Sequence, residues 1–176
     1  MRTTEETRIK RGHITLMQHP NTALYSGVIS SGKNEVIDGE KEGGKFTAYT
    51  DGINKVYCRE YIAEYKSEPK LRGLILHENL HVALKHCTHG AGMFRESANM
   101  ANLAADFVVN DITENIKGTI AGTTERIVEL YENDVYDPMF HNWSMREVYN
   151  YLKKHAKPKP KPRPQNGDKP CDNPTS

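Results

Sequence analysis

The sequence predicts an α+β domain, mainly helical, with a small β-hairpin or sheet beside one central helix. Three observations carry the prediction. Residues 68–86 have apolar side chains almost all round a helical projection, which marks a buried helix. Residues 97–114 keep the helical period but reserve one stripe for polar groups. Between 46 and 58, the run Phe46 to Thr50, the pair Asp51-Gly52 and the run Ile53 to Cys58 read as two strands joined by a turn.

Taken in order, residues 4–18 form a helix with Ile9, Ile14, Leu16 and Met17 on its apolar side, and Pro20 stops it. Residues 21–45 are rich in Gly, Ser, Asn and Lys and read as loop, with a short strand at Val28 and Ile29. The hairpin follows, then a short helix over 59–66. Pro69 suits the first turn of the central helix, where a missing N–H costs nothing, and Gly90 and Gly92 end that helix. The second buried helix covers 97–114, residues 123–136 are helical in part, and Ser144 caps a last amphipathic helix that ends near Lys154. Trp143 packs that helix on the core.

The 176 residues suffice for one domain, drawn here as 1–156, plus a tail. Six of the nine prolines fall in 157–176, with almost no apolar side chains, so this segment reads as an extended, disordered tail or linker. A formal charge of +1 offers no global attraction for nucleic acid or acidic lipid, and neither is an expected partner. No apolar run approaches the roughly 20 residues that span a bilayer, and the N-terminus lacks a signal-peptide core. Cys58, Cys87 and Cys171 are an odd, widely spaced set, which speaks for a reducing compartment; the cytoplasm is the expected location.

The chemistry lies in His77-Glu78-Asn79-Leu80-His81. Positions i and i+4 share a helix face, so both imidazoles can reach one ion, and Glu78 beside them can take a proton from water. The signal gains weight from its setting. In the most apolar helix of the chain, imidazole and carboxylate groups are costly without compensation, and a metal ion supplies it. The bland reading is a pair of core histidines beside a buried ion pair.

A catalytic zinc needs about three protein ligands and an open position. A third histidine six residues after His81 is absent, since Cys87 stands there. His86, projected on a straight helix, points about 140° away from His81. On the second buried helix, Asn99, Asn102, Asp106, Asn110 and Thr113 form the polar stripe. Short amides and a carboxylate suit a buried network better than a solvated face. Asp106 is therefore the expected third ligand, supported by Asn102 and Asn110, with Glu96 as its rival.

The runs TAYTDGINKVYCREYIAE, LRGLILHENLHVALKH and NLAADFVVND, in that order, resemble the putative metallopeptidase domain that often precedes a von Willebrand A-type domain in bacteria and their phages. The resemblance covers roughly residues 5–155. It implies a zincin-like core with the hairpin beside the active-site helix, His77, His81 and Asp106 as metal ligands, Glu78 as acid/base, Zn2+ as cofactor and a peptide or protein as substrate. One departure stands out: no von Willebrand module and no DxSxS motif accompany the domain.

The expected activity is zinc-dependent peptide-bond hydrolysis. Tyr49, Tyr57, His86 and His89 are candidates for stabilising the oxyanion. An extended substrate can add to the hairpin if one strand is an open edge; otherwise the hairpin only closes the core. Two other function classes stay open: an inactive, zinc-stabilised interaction module that engages a protein partner through the Pro/Lys tail, and a nucleic-acid-associated protein that uses the same tail.

Overall fold

The computed structural model describes residues 4–44 and 46–155, without the side chains of Lys41 and Glu42. The expected tail, and the boundary drawn at 156, lie outside the described residues.

Thr4 caps the first helix, α1 (Glu5–Gln18), by accepting from the Thr7 N–H at 3.3 Å. The expected strand at Val28 and Ile29 is instead one helical turn, α2 (Ser26–Ile29). A distant lysine accounts for the difference. The fully buried Lys55 donates from Nζ to the carbonyls of Val28 at 3.3 Å and Ser31 at 2.5 Å, satisfying the C-terminal end of that turn. Two β-branched or bulky residues thus stay helical against their local preference.

The strand in this region is β1 (Asn34–Ile37), which the composition of residues 21–45 did not suggest. The hairpin forms as expected from β2 (Ala48–Thr50) and β3 (Lys55–Cys58), antiparallel with Ala48 opposite Tyr57. Asp51 Oδ1 accepts from the N–H groups of Ile53 and Asn54 at 2.8 and 2.6 Å, and Gly52 supplies the left-handed φ of 94° that the turn requires. β1 joins β3 in parallel, giving a mixed sheet in the order β1-β3-β2 and an α+β fold. Although β2 lies at the sheet edge, Ala48 and Thr50 are buried and the strand packs on the central helix. The hairpin closes the core through these side chains, and among the described residues β2 pairs only with β3.

α3 (Arg59–Glu64) leads to the central helix, α4 (Glu68–Ala83), capped by Ser67 with Pro69 in its first turn. It ends earlier than expected. Lys85 takes a left-handed conformation with φ of 53°, and two short helices follow, α5 (His86–His89) and α6 (Ala91–Glu96). That conformation costs about 1–2 kcal/mol in a non-glycine residue. The burial of His86 and Cys87 beyond the break offsets it, Cys87 packing under Gly52 of the hairpin turn.

The second buried helix, α7 (Ala98–Asn115), lies between two apolar clusters. Val109 and Ile116 join the cluster of α1, α4 and the sheet, whereas Ala101, Ala104, Ala105 and Val108 join the cluster of α6 and the last helix. That last helix, α8 (Met145–His155), opens with a reciprocal cap: Ser144 Oγ accepts from Glu147 N–H at 3.3 Å, and Glu147 Oε2 accepts from Ser144 N–H at 2.8 Å. Trp143 stacks edge-on with Phe140 and Tyr151, as expected of a residue that docks this helix.

Residues 123–136 are not helical. Within them, residues 126–129 lie against α4, held by Arg72, which donates from Nε to the Ile127 carbonyl at 2.6 Å and from Nη2 to the Arg126 carbonyl at 2.8 Å. Gly73 lets this backbone approach: a Cβ there would stand 2.1 Å from the Glu129 carbonyl oxygen. Carbonyls bonded to an arginine 55 residues away in sequence are not spent on helical turns. Among the described residues, no helix is long and apolar enough to cross a membrane.

Candidate metal centre

α4 presents His77 and His81 one turn apart, and α7 packs beside it with Asp106 facing both. His77 Nε2 and His81 Nε2 lie 2.9 Å apart. Asp106 Oδ1 is 3.3 Å from His81 Nε2 and 3.6 Å from His77 Nε2. Ligands about 2.05 Å from a tetrahedral zinc are separated from each other by about 3.3 Å, and these three separations, 2.9 to 3.6 Å, bracket that value. Two imidazole nitrogens and a carboxylate oxygen are also the donor types zinc takes. The three residues could therefore hold one metal ion. The Asp106 side chain is 23% exposed and those of His77 and His81 are 13% and 10% exposed, so the group is largely but not wholly buried.

The protonation of His77 follows from its neighbours. Asn110 Nδ2 donates to the Val135 carbonyl at 2.9 Å, which turns Asn110 Oδ1 towards His77 Nδ1, also at 2.9 Å. An amide oxygen only accepts, so Nδ1 carries the proton and Nε2 keeps its lone pair for the centre. Asn102, the other expected supporter, is half-buried and makes no hydrogen bond to the three residues.

Burial pushes the Asp106 carboxyl up, but the imidazoles of His77 and His81 beside it outweigh burial and hold the group below the usual carboxylate range. Burial lowers His81 against the pull of the Asp106 carboxylate, and burial, with His81 alongside, takes His86 down to about 3. Both shifts favour the neutral ring, the form in which imidazole binds metals.

Glu78 is buried on the adjoining side of α4, where its charge, after burial itself, helps to raise the Tyr57 hydroxyl well above the ordinary phenol range. Tyr57 is wholly buried behind Glu78, whereas Tyr49 is half-buried on β2 and stacks near Phe46. His89 is exposed on α5. Glu96 pairs with Lys153 at the surface and is not among the three grouped donors.

Two contributors lie where the sequence pattern does not place them. His86 returns to His81, Nδ1 to Nδ1 at 3.0 Å, because the break at Lys85 takes it off the helical projection. The signal available in the sequence was the end of the apolar pattern at Leu84. The loop 131–137, expected to be partly helical, contributes the Val135 carbonyl and brings Asp134 into electrostatic range of His77 and Asp106.

No curated protein and no solved structure matches the chain. Residues 37–174 match the family described as putative metallopeptidase domain. The match starts at the end of β1 and runs through β2, β3, α4, α7 and α8, so it includes His77, Glu78, His81, Asp106 and Asn110. It also extends over residues that the sequence reading assigned to a tail. Since the match takes in the whole centre and most of the 176 residues, the chain belongs to the putative metallopeptidase domain family.

Proposed function

We propose that the protein is a zinc-dependent peptidase in which His77, His81 and Asp106 hold the ion and Glu78 is the general acid/base. The observation that supports this best is the convergence of two Nε2 atoms and one Oδ1 atom within 3.6 Å of one another, from two helices 25 residues apart along the chain at His81 and Asp106. Membership of a metallopeptidase family supports a metal-dependent peptidase in general terms.

A bound zinc lowers the pKa of water from about 15.7 towards 7 and polarises a carbonyl oxygen. The chain supplies the rest. Asn110 keeps the His77 Nε2 lone pair directed at the centre. Asp106, held ionised, contributes the negative charge that favours a divalent cation. The Glu78 carboxylate takes a proton from the attacking water and passes it to the leaving amine nitrogen. The burial of Glu78 keeps bulk water from competing for that proton.

The test combines metal content with turnover. Purified protein should carry one equivalent of zinc by elemental analysis and cleave peptides in a mixed library read by mass spectrometry. Glu78→Gln should keep the zinc and lose cleavage. Zinc in both proteins with cleavage in neither favours an interaction module instead.

A further inference from the structure

We propose that His86 is a positioning residue for the metal centre: by accepting a hydrogen bond from His81 Nδ1–H, it holds the tautomer of His81 whose Nε2 lone pair faces His77 and Asp106. The inference rests on the metal-binding reading above.

One proton lies between the two Nδ1 atoms, which are 3.0 Å apart with their rings edge-to-face. Only two arrangements of neutral rings satisfy this contact. If His86 donates, the single proton of His81 sits on Nε2, directed at atoms 2.9 and 3.3 Å away that must share a cation, and His81 is lost as a ligand. If His81 donates, its Nε2 lone pair is released to the centre, and His86 carries its own proton on Nε2. His86 also lines a cavity of about 490 Å³ bounded by Met93, Val108, Asp111, Trp143 and Met145, a space large enough for water.

His86 thus does for His81 what Asn110 does for His77: each ligand has one acceptor on its Nδ1. The backbone is arranged for it. Without the left-handed Lys85, His86 would continue α4 and face away, and with it the ring is only 4% exposed and packed on His81. His86 itself stays outside the group of three donors.

Two measurements test the assignment. Zinc affinity, read by competition with a chromophoric chelator, should fall about 10- to 100-fold in His86→Leu, the range typical of lost partners behind a metal ligand. His86→Gln, whose Oε1 can accept, should recover most of that loss. Long-range ¹H–¹⁵N spectra of the zinc-loaded parent should show His81 protonated on Nδ1 and metal-bound through Nε2, which decides the matter even if His86→Leu does not fold. Equal zinc affinity in parent and His86→Leu, or His81 bound through Nδ1, overturns the assignment alone. A parent that binds no zinc overturns it together with the metal-binding reading.

Discussion

Asn110 joins His77 to the loop after residue 130: its Oδ1 accepts the His77 Nδ1–H and its Nδ2 donates to the Val135 carbonyl, both at 2.9 Å. A side chain of nearly equal size without polar atoms would strand both partners. Asn110→Leu should therefore lower zinc affinity by about 10- to 100-fold while leaving the helix content unchanged. Chelator competition and far-UV circular dichroism check the two halves of the prediction. Unchanged affinity in a folded variant would show that the His77 tautomer needs no support.

Asp106 is the only carboxylate within the group of three donors. Asp106→Asn should lose more zinc affinity than any change behind the ligands, more than about 100-fold. Metal removal gives a second readout. A ligand held by the folded state alone raises stability by about 2.7 kcal/mol at a hundredfold excess over its Kd. EDTA should therefore lower the melting temperature of the parent and leave that of Asp106→Asn unmoved.

Arg72 is buried and satisfies the carbonyls of Arg126 and Ile127 while pairing with Glu125 at 2.7 Å. Arg72→Met fills much of the same space but leaves those carbonyls without a donor. Each stranded acceptor costs about 1–3 kcal/mol, so urea unfolding should show a loss of about 2–6 kcal/mol for the two. Residues 131–137 follow directly on this segment and carry Val135, so zinc affinity should weaken in the same variant.

His13 gives a pH dependence with a definite sign. Burial, the largest influence, lowers its imidazole, and the positive charge of Lys55 lowers it further against the pull of the Ile9 carbonyl. Nδ1 is 2.8 Å from that carbonyl, and Nε2 is buried with no partner among the described residues. The folded state therefore binds a proton less readily than the unfolded chain, whose imidazole titrates near 6.5. Stability from this group is intact above about 6.5 and falls as the pH drops below it. In EDTA-treated protein, chemical unfolding at pH 7 and pH 5 should show a larger loss for the parent than for His13→Phe, which keeps a ring against Tyr57. Equal losses would exclude His13 as a source of the effect.

What the sequence determined by itself is local in origin. Residues one helical turn apart must share a face, so the pairing of His77 with His81 and the alignment of Asp106 with Asn110 follow from the period alone. The Asp51-Gly52 turn and the Ser144–Glu147 cap are likewise short-range, because the partners lie within three residues of each other. The preference for Asp106 also had a local basis, its place in the polar stripe of an otherwise apolar helix.

The tertiary structure decided whatever depends on a group distant in sequence. Residues 123–136 carry enough helical pattern to mislead, but Arg72 takes the carbonyls of Arg126 and Ile127 and Gly73 lets the Glu129 backbone approach α4. The turn at Val28 and Ile29 is helical because Lys55 reaches the carbonyls of Val28 and Ser31, and β1 exists only through its parallel pairing with β3. His86 is the clearest case. Its side chain meets His81 because one residue, Lys85, accepts a left-handed backbone whose local cost only burial on a finished core can offset.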